Sequence, residues 1–327
     1  MAAMTMSSST IPTVSSADKN NPGLWIPGTS PLGRGVWEPV LEDQTTQSFS
    51  YYLPYKNSVG AETTTSSNRH SCCFTKEQLD RWFQRLHPSS YTTDDLDDTA
   101  WTSAHYQNKK LLRQTAWCVF DENCCCEYGY SDTWQPILRN TQMKDTIQEI
   151  TDVVSRIVGK TCFNSCNLNY YPQGGGVGFH ADDEFLFDGL SRSVTIVSLS
   201  LAPPPPPLSS SKSSTPEQSD HWGARKFQIR SKQPLQNNGG HIVEKEVVLK
   251  HGDLLTMEGM FQKHYLHSVW PGDSQDYAST TNNHHPLTQG ERINLTWRTI
   301  VKHLDGSPEC RGITCPLVSS NLKTPNT

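Results

Sequence analysis

The sequence predicts a mainly β fold of the α+β class, a jelly-roll barrel (double-stranded β-helix) with helices packed on one outer face. Three observations predict it. Two amphipathic helical stretches come early in the chain. From Thr161 to Ile300 the pattern changes to short runs of alternating polarity, as many short strands would give. Polar loops interrupt those runs without changing their period.

Taken in order, residues 1–70 read as a mostly disordered or irregular extension. The first 35 or so are rich in Ser, Thr and Pro and lack apolar periodicity, and 36–70 are polar and aromatic without an assignable element. Ordered structure is expected from near Thr75. Thr75 and Gln78 have capping-box spacing, and Leu79, Trp82, Phe83 and Leu86 follow at i, i+3, i+4 and i+7, so a helix is predicted over 75–87, ended by Pro88. Lys109 to Tyr130 reads as short strands and a loop. Met143, Ile147, Ile150, Val154 and Ile157 predict a second helix over 141–158, with Gly159 placed for its C-cap. Strands are predicted at 163–171, 177–182, 193–201, 225–231, 243–249, 253–258, 264–269 and 292–301. Two insertions separate them. Residues 202–222 hold Pro203 to Pro207 in a row, which cannot enter a sheet ladder, then a Ser-rich stretch; this is a spacer that a proline-reading partner could bind. Residues 271–290 are a polar loop in which His284 and His285 are expected to face solvent. The folded domain is expected over 71–303, with a flexible tail at 304–327.

Composition excludes several classes. The formal net charge is −5, which gives no global footprint for nucleic acid. No apolar run reaches membrane-spanning length, and no basic region followed by an apolar core opens the chain. The 10 Cys include the consecutive Cys124, Cys125 and Cys126 but no Cys-x-x-Cys pair. Cys162/Cys166 and Cys310/Cys315 are loosely spaced, which points away from zinc. The thiols read as reduced, and the chain as an intracellular monomer with the nucleus as its expected compartment.

The chemistry is concentrated in Gly178-Phe179-His180-Ala181-Asp182-Asp183-Glu184. On a strand, residues two apart share a face, so His180 and Asp182 can present a nitrogen and a carboxylate oxygen to one ion. A second His would complete the facial triad of non-haem Fe(II) oxygenases, and His267 is the candidate. Three further stretches repeat the period. Asn169 and Tyr171 share a face. So do Arg292, Asn294, Thr296 and Arg298, with Ile293, Leu295 and Trp297 opposite. Either that polar face meets solvent or it lines a barrel. Inside a barrel two arginines need an anion, and a dicarboxylate such as 2-oxoglutarate meets guanidinium in bidentate fashion.

The chain resembles the AlkB family of Fe(II)/2-oxoglutarate dioxygenases, in particular its nucleic-acid dealkylating branch, from roughly Leu112 to Ile300. Asn169-x-Tyr171, His180-Ala181-Asp182-Asp183-Glu184, Arg225-x-Phe227-x-x-Arg230, His251-Gly252-Asp253-Leu254-Leu255-x-Met257, Gln262-x-x-Tyr265-x-His267 and Arg292-x-Asn294-x-Thr296-x-Arg298 carry it, in the family's order. The resemblance implies that His180, Asp182 and His267 hold Fe(II). His264 competes, but only His267 precedes Val269-Trp270-Pro271 as the pattern requires. It further implies that Arg298 pairs with the distal carboxylate of 2-oxoglutarate, supported by Asn169, Tyr171, Arg292 and Asn294. Glu184 would contact the exocyclic amine of a damaged base. Tyr128 and Tyr130 would belong to a lid whose ring stacks on the flipped base, a core tyrosine pair being the alternative. Arg113, with Lys109 and Lys110, and Arg225, with Lys226 and Arg230, would meet phosphates.

The implied reaction consumes 2-oxoglutarate and O2, releases succinate, CO2 and formaldehyde, and repairs 1-methyladenine and 3-methylcytosine in DNA or RNA by direct reversal. The base must be unstacked or already single-stranded. The alternative is a 2-oxoglutarate-dependent hydroxylase or demethylase of a protein or small molecule. The Pro/Ser insertion and the long loop before Arg292 depart from the family pattern and bear on the substrate entrance.

Overall fold

The computed structural model describes residues 37–55, 74–91, 100–107, 109–122, 124–130, 133–159, 163–203, 223–234, 242, 244–270 and 290–303. The expectations for the first 36 residues, most of the Pro/Ser insertion, the loop with His284 and His285 and the C-terminal tail lie outside the described residues.

The described elements run β1 (Glu38–Asp43), β2 (Ser48–Leu53), α1 (Lys76–Leu86), β3 (Thr102–Tyr106), β4 (Lys109–Val119), β5 (Tyr128–Tyr130), β6 (Thr133–Gln135), α2 (Thr141–Val158), β7 (Ser165–Tyr171), β8 (Val177–His180), β9 (Val194–Leu201), β10 (Arg225–Ser231), β11 (Glu244–Leu249), β12 (Leu254–Gly259), a helical turn (Phe261–His264), β13 (Tyr265–Trp270) and β14 (Arg292–Arg298). The large sheet has the order β1-β2-β12-β9-β14-β7-β4-β3, and the small one β11-β10-β13-β8. Among the described residues, every strand pairing within these two sheets is antiparallel. Two antiparallel sheets facing one another make the jelly-roll architecture.

Local sequence sets both helices. Thr75 accepts a hydrogen bond from the Gln78 amide while the Gln78 side chain accepts from Thr75 N–H, closing the capping box. Asn140 caps α2 through the Met143 amide, and Gly159 ends it in the left-handed region at φ 66°, where any residue with a Cβ is disfavoured. The buried stripes of α1 and α2 share one core with Val197, Leu199, Leu201, Ile293, Leu295 and Trp297 of the large sheet. The Trp297 indole also donates to Thr151 Oγ1 on α2 at 2.8 Å. Truncating so large a buried ring costs about 3–5 kcal/mol.

A second core lies between the sheets. Ile196, Leu255 and Met257 of the large sheet meet Phe227, Ile229 and Val269 of the small one. The alternation on β14 therefore resolves toward the barrel. Its apolar face packs under the helices, and its polar face turns inward with all seven residues buried.

Two expectations about the first part of the chain are corrected. Structure does not begin near Thr75: β1 and β2 form a hairpin, and β2 pairs with β12 along its whole length. Phe49, Tyr51 and Leu53 join the helical core. Their aromatic-polar alternation gains meaning only beside β12, which is remote in sequence. The stretch from Lys109, expected as short strands and a loop, begins with one 11-residue strand.

Candidate active site

Strand pairing assembles the centre. His180 ends β8 and stands directly opposite His267 of β13, so their rings lie 4.2 Å apart. Asp182 follows two residues on, and its amide donates to Gln262 Oε1 at 2.8 Å. The His180 and His267 Nε2 atoms sit 3.7 and 3.8 Å from Asp182 Oδ1. Oδ1 itself is buried without a hydrogen-bond partner. An orphaned carboxylate oxygen flanked by two ring nitrogens, all within 4.8 Å of one another, fits a facially bound divalent metal. His180 Nδ1 lies 2.8 Å from the Gly178 carbonyl, which selects the tautomer that carries its lone pair on Nε2. His264 ends the preceding helical turn and does not join this cluster.

Electrostatics favour the ligand state of each group. Burial, and then the neighbouring His180, push His267 down to about 3. Burial also lowers His180. Both rings are thus neutral near neutral pH, as metal ligands must be. Burial is the largest influence on Asp182 and works against its ionisation, but Arg298, His267 and His180 together outweigh it and hold the carboxyl at about 2. Arg298 donates Nε and Nη2 to Asp182 Oδ2 at 3.1 and 2.6 Å.

That contact bears on the arginine expectations. Arg298 was expected to grip a distal carboxylate, yet Asp182 takes its Nε and Nη2 and leaves only Nη1 buried without a partner. Arg292 has more spare capacity. It is 1% exposed. Its Nη2 donates to Ser200 Oγ at 2.6 Å and Asn294 Oδ1 at 2.9 Å, while Nε and Nη1 are buried without partners. Burial, and then Arg225, push its guanidinium down to about 10. A buried cation with two idle donors is costly unless an anion joins it. The inward face of β14 thus has an arginine with one unpartnered nitrogen at the metal end and one with two unpartnered nitrogens six residues away. Asn169, Tyr171, Asn294, Thr296, Ser198 and Arg298 line the cavity beside the metal cluster, whereas Arg292 adjoins it through its bond to Asn294 and stands opposite Tyr171 in register.

The predicted substrate residues divide. Tyr128 is not an exposed lid ring. It is 2% exposed, stacks on Trp117 at 4.8 Å and lines the cavity. Its hydroxyl donates to Glu184 Oε1 at 2.6 Å. Glu184 Oε2 is shut away from solvent without a partner. Burial, and then the charge of Asp182, push the Glu184 carboxyl up to about 7. The Tyr130 side chain lies outside the described residues. Arg113 is buried and lines the cavity rather than the surface. Arg225 is 0% exposed. Its guanidinium donates to the carbonyls of Gly175, Ala224 and Gly290 at 3.0–3.1 Å, so it braces three loops and is closed to a phosphate. The sequence reading missed Gln262 as the brace of Asp182, although the order Gln262-x-x-Tyr265-x-His267 marked it.

Comparison with known proteins gives the family. A family model described as the 2OG-Fe(II) oxygenase superfamily matches residues 70–298. Human alpha-ketoglutarate-dependent dioxygenase alkB homolog 3 is 32% identical over 179 residues, covering 54% of this chain and 46% of that protein. DNA oxidative demethylase ALKBH2 of Arabidopsis thaliana is 29% identical over 158 residues, covering 47% of this chain and 43% of that one. The chain thus spans under half the length of these curated relatives. Among solved structures, that of OsALKBH1 superposes with a TM-score of 0.36 at 16% identity, over 76% of this chain and 96% of that one. A 2OG-Fe(II) oxygenase family oxidoreductase from Burkholderia pseudomallei gives 0.41 at 11%, over 77% and 88%.

Proposed function

The chain belongs to the 2OG-Fe(II) oxygenase superfamily, and from that premise we propose that it oxidatively demethylates alkylated bases in nucleic acid, with 1-methyladenine and 3-methylcytosine in DNA or RNA as substrates. The observation that carries the nucleobase reading is Glu184. Two residues past a metal ligand, it keeps one carboxylate oxygen buried and unpartnered beside a cavity-lining tyrosine. A hydrogen-bonding base edge would satisfy that oxygen, whereas an aliphatic substrate would leave it orphaned. The relatives named for alkB homology and DNA demethylation support the same reading.

His180, Asp182 and His267 would hold the iron. When bound, Fe(II) supplies activation of O2 coupled to decarboxylation of 2-oxoglutarate, which no side chain can supply. The rest falls to the chain. Arg298 fixes the Asp182 carboxylate in its ionised, ligating orientation. Arg292 offers its two idle donors to the far carboxylate of 2-oxoglutarate, and Asn169, Tyr171 and Asn294 complete the polar wall around it. The sequence resemblance gave that carboxylate to Arg298, with Arg292 in support. Phe227, 5.6 Å from the His267 ring, Met257 and Val269 keep the opposite wall apolar and exclude water from the oxidising centre. Tyr128 holds Glu184 in place to receive the base.

The test is formaldehyde release from methylated single-stranded DNA, duplex DNA and RNA, compared side by side. Turnover of 2-oxoglutarate with no release from any of them would transfer the same iron chemistry to a protein or small-molecule substrate.

A further inference from the structure

Outside the iron centre, a second set of metal-ligating atoms converges at the end of the barrel. Cys124, Cys126 and His303 bring their Sγ, Sγ and Nδ1 atoms within 4.8 Å of one another. Cys126 Sγ lies 3.3 Å and Cys124 Sγ 4.0 Å from His303 Nδ1. A tetrahedral zinc with Zn–S of about 2.3 Å and Zn–N of about 2.0–2.1 Å needs S···N edges of about 3.5 Å and an S···S edge of about 3.8 Å. The observed S···N separations bracket the first value, and the two sulfurs lie within 4.8 Å of one another, so small side-chain shifts would close the site.

The chain places these donors deliberately. Residues 124–127 alternate buried and exposed, so Cys124 and Cys126 share one face while Cys125 turns out to solvent. The third donor comes from 177 residues away, just past β14. Its approach is fixed because the Val301 and Lys302 amides both donate to the Leu186 carbonyl. The cysteines belong to a buried cluster with Trp117, Tyr128, Leu186 and Phe187.

We propose that Cys124, Cys126 and His303 bind a zinc ion separate from the catalytic iron. Two thiolates and an imidazole are soft to borderline donors, which suit Zn2+ and disfavour Fe(II), Mg2+ or Ca2+. Three protein ligands leave one tetrahedral position for water or a further donor. The ion pins the segment after β14 to the segment before β5. The consequence reaches the active site by a short path. The Cys126 carbonyl accepts the Trp117 indole N–H at 2.9 Å, Trp117 stacks on Tyr128, and Tyr128 holds Glu184. The zinc is therefore a positioning element for the Tyr128–Glu184 pair. The sequence reading turned away from zinc because no Cys-x-x-Cys pair exists; the donor pattern here is Cys-x-Cys with a remote His.

The experiment is a titration of Co2+ into the reduced, metal-stripped full chain, read as thiolate-to-cobalt charge-transfer absorption in the near ultraviolet. The His/Asp iron site contains no sulfur and gives no such band. The band should saturate by two added equivalents, one of them taken up silently by the iron site, disappear when Zn2+ is added, and persist in a Cys310→Ser/Cys315→Ser control. Cys126→Ser should abolish it. His303→Ala should weaken cobalt binding at least about a hundredfold, since even outer partners of metal ligands are worth 10–100-fold. His303 follows the last strand and is only half-buried, so this variant decides the matter even if Cys126→Ser fails to fold. Absence of the band from the unmodified chain, or a band of unchanged affinity in His303→Ala, would mean that thiol–imidazole hydrogen bonds alone hold the cluster.

Discussion

The two arginines of β14 give the sharpest test of the site, because the structure assigns them different partners. Consider Arg292→Lys and Arg298→Lys together. Lysine keeps the charge and loses the planar fork. At Arg292 the loss falls on Nε and Nη1, the donors that have no partner in the protein. If both grip the far carboxylate of 2-oxoglutarate, reducing the pair to a single ammonium removes one charge-assisted bond of about 1.5–3 kcal/mol. That is roughly a ten- to hundredfold rise in half-saturation, and saturating co-substrate should recover most of the rate. At Arg298 the loss falls on Asp182 Oδ2, now held at 3.1 and 2.6 Å. Metal affinity should drop about 10–100-fold, the usual effect of removing a partner of a ligating carboxylate. The metal-free variant should also melt earlier, because a buried carboxylate loses part of its counter-charge, and bound metal should restore part of that loss. The assays are succinate production against 2-oxoglutarate concentration and direct metal titration of each variant. If Arg298→Lys raises the co-substrate requirement with unchanged metal affinity, while Arg292→Lys leaves it alone, the assignment is reversed and the argument from idle donors fails.

Three further outcomes are expected. His267→Ala should abolish metal-dependent turnover, whereas His264→Ala should retain it, because His267 stands opposite His180 in the β8–β13 pair with its Nε2 3.8 Å from Asp182 Oδ1; an active His267→Ala enzyme would refute the ligand set. Excising residues 204–221 should leave the melting temperature within a few degrees of the parent, because Ala202 and Gly223 already touch: a Cβ on Gly223 would stand 2.4 Å from that of Ala202. Expression of the shortened chain only as aggregate would show that the segment contributes to the fold. Stability should fall as pH drops from about 6.5 to about 4 through His251, which burial pushes down to about 4. Its Nδ1 accepts from the Ala202 amide at 2.9 Å, so protonation breaks a bond as well as burying charge. The unfolded chain takes up the proton first, and the loss below both values approaches at most about 3 kcal/mol. Asp253, which burial pushes up to about 6, titrates nearby with the opposite sign. The diagnostic is therefore the difference in denaturant midpoint between parent and His251→Asn across that range, and a parallel pH response of the two chains would remove His251 from the account.

What the sequence determined by itself is what repeats locally. The spacing of Leu79, Trp82, Phe83 and Leu86, the caps at Thr75, Asn140 and Gly159, and the period of two in His180-x-Asp182 and along Arg292 to Arg298 are all set within a turn or a strand. Chain geometry turns such spacing directly into shared faces. What only the tertiary structure decided is which face meets which partner. β1 and β2 become strands because β12 lies beside β2. Arg225 braces loop carbonyls instead of meeting a phosphate because the strand that carries it faces inward there. Arg298 rather than Arg292 holds Asp182 because β14 runs antiparallel to β7 and β9 in one particular register. His303 meets Cys124 and Cys126 across 179 and 177 residues of chain. Periodicity is a property of neighbours along the chain, whereas the partner of a buried charge or thiol is chosen by contacts between residues one or two hundred positions apart, and no local pattern encodes that choice.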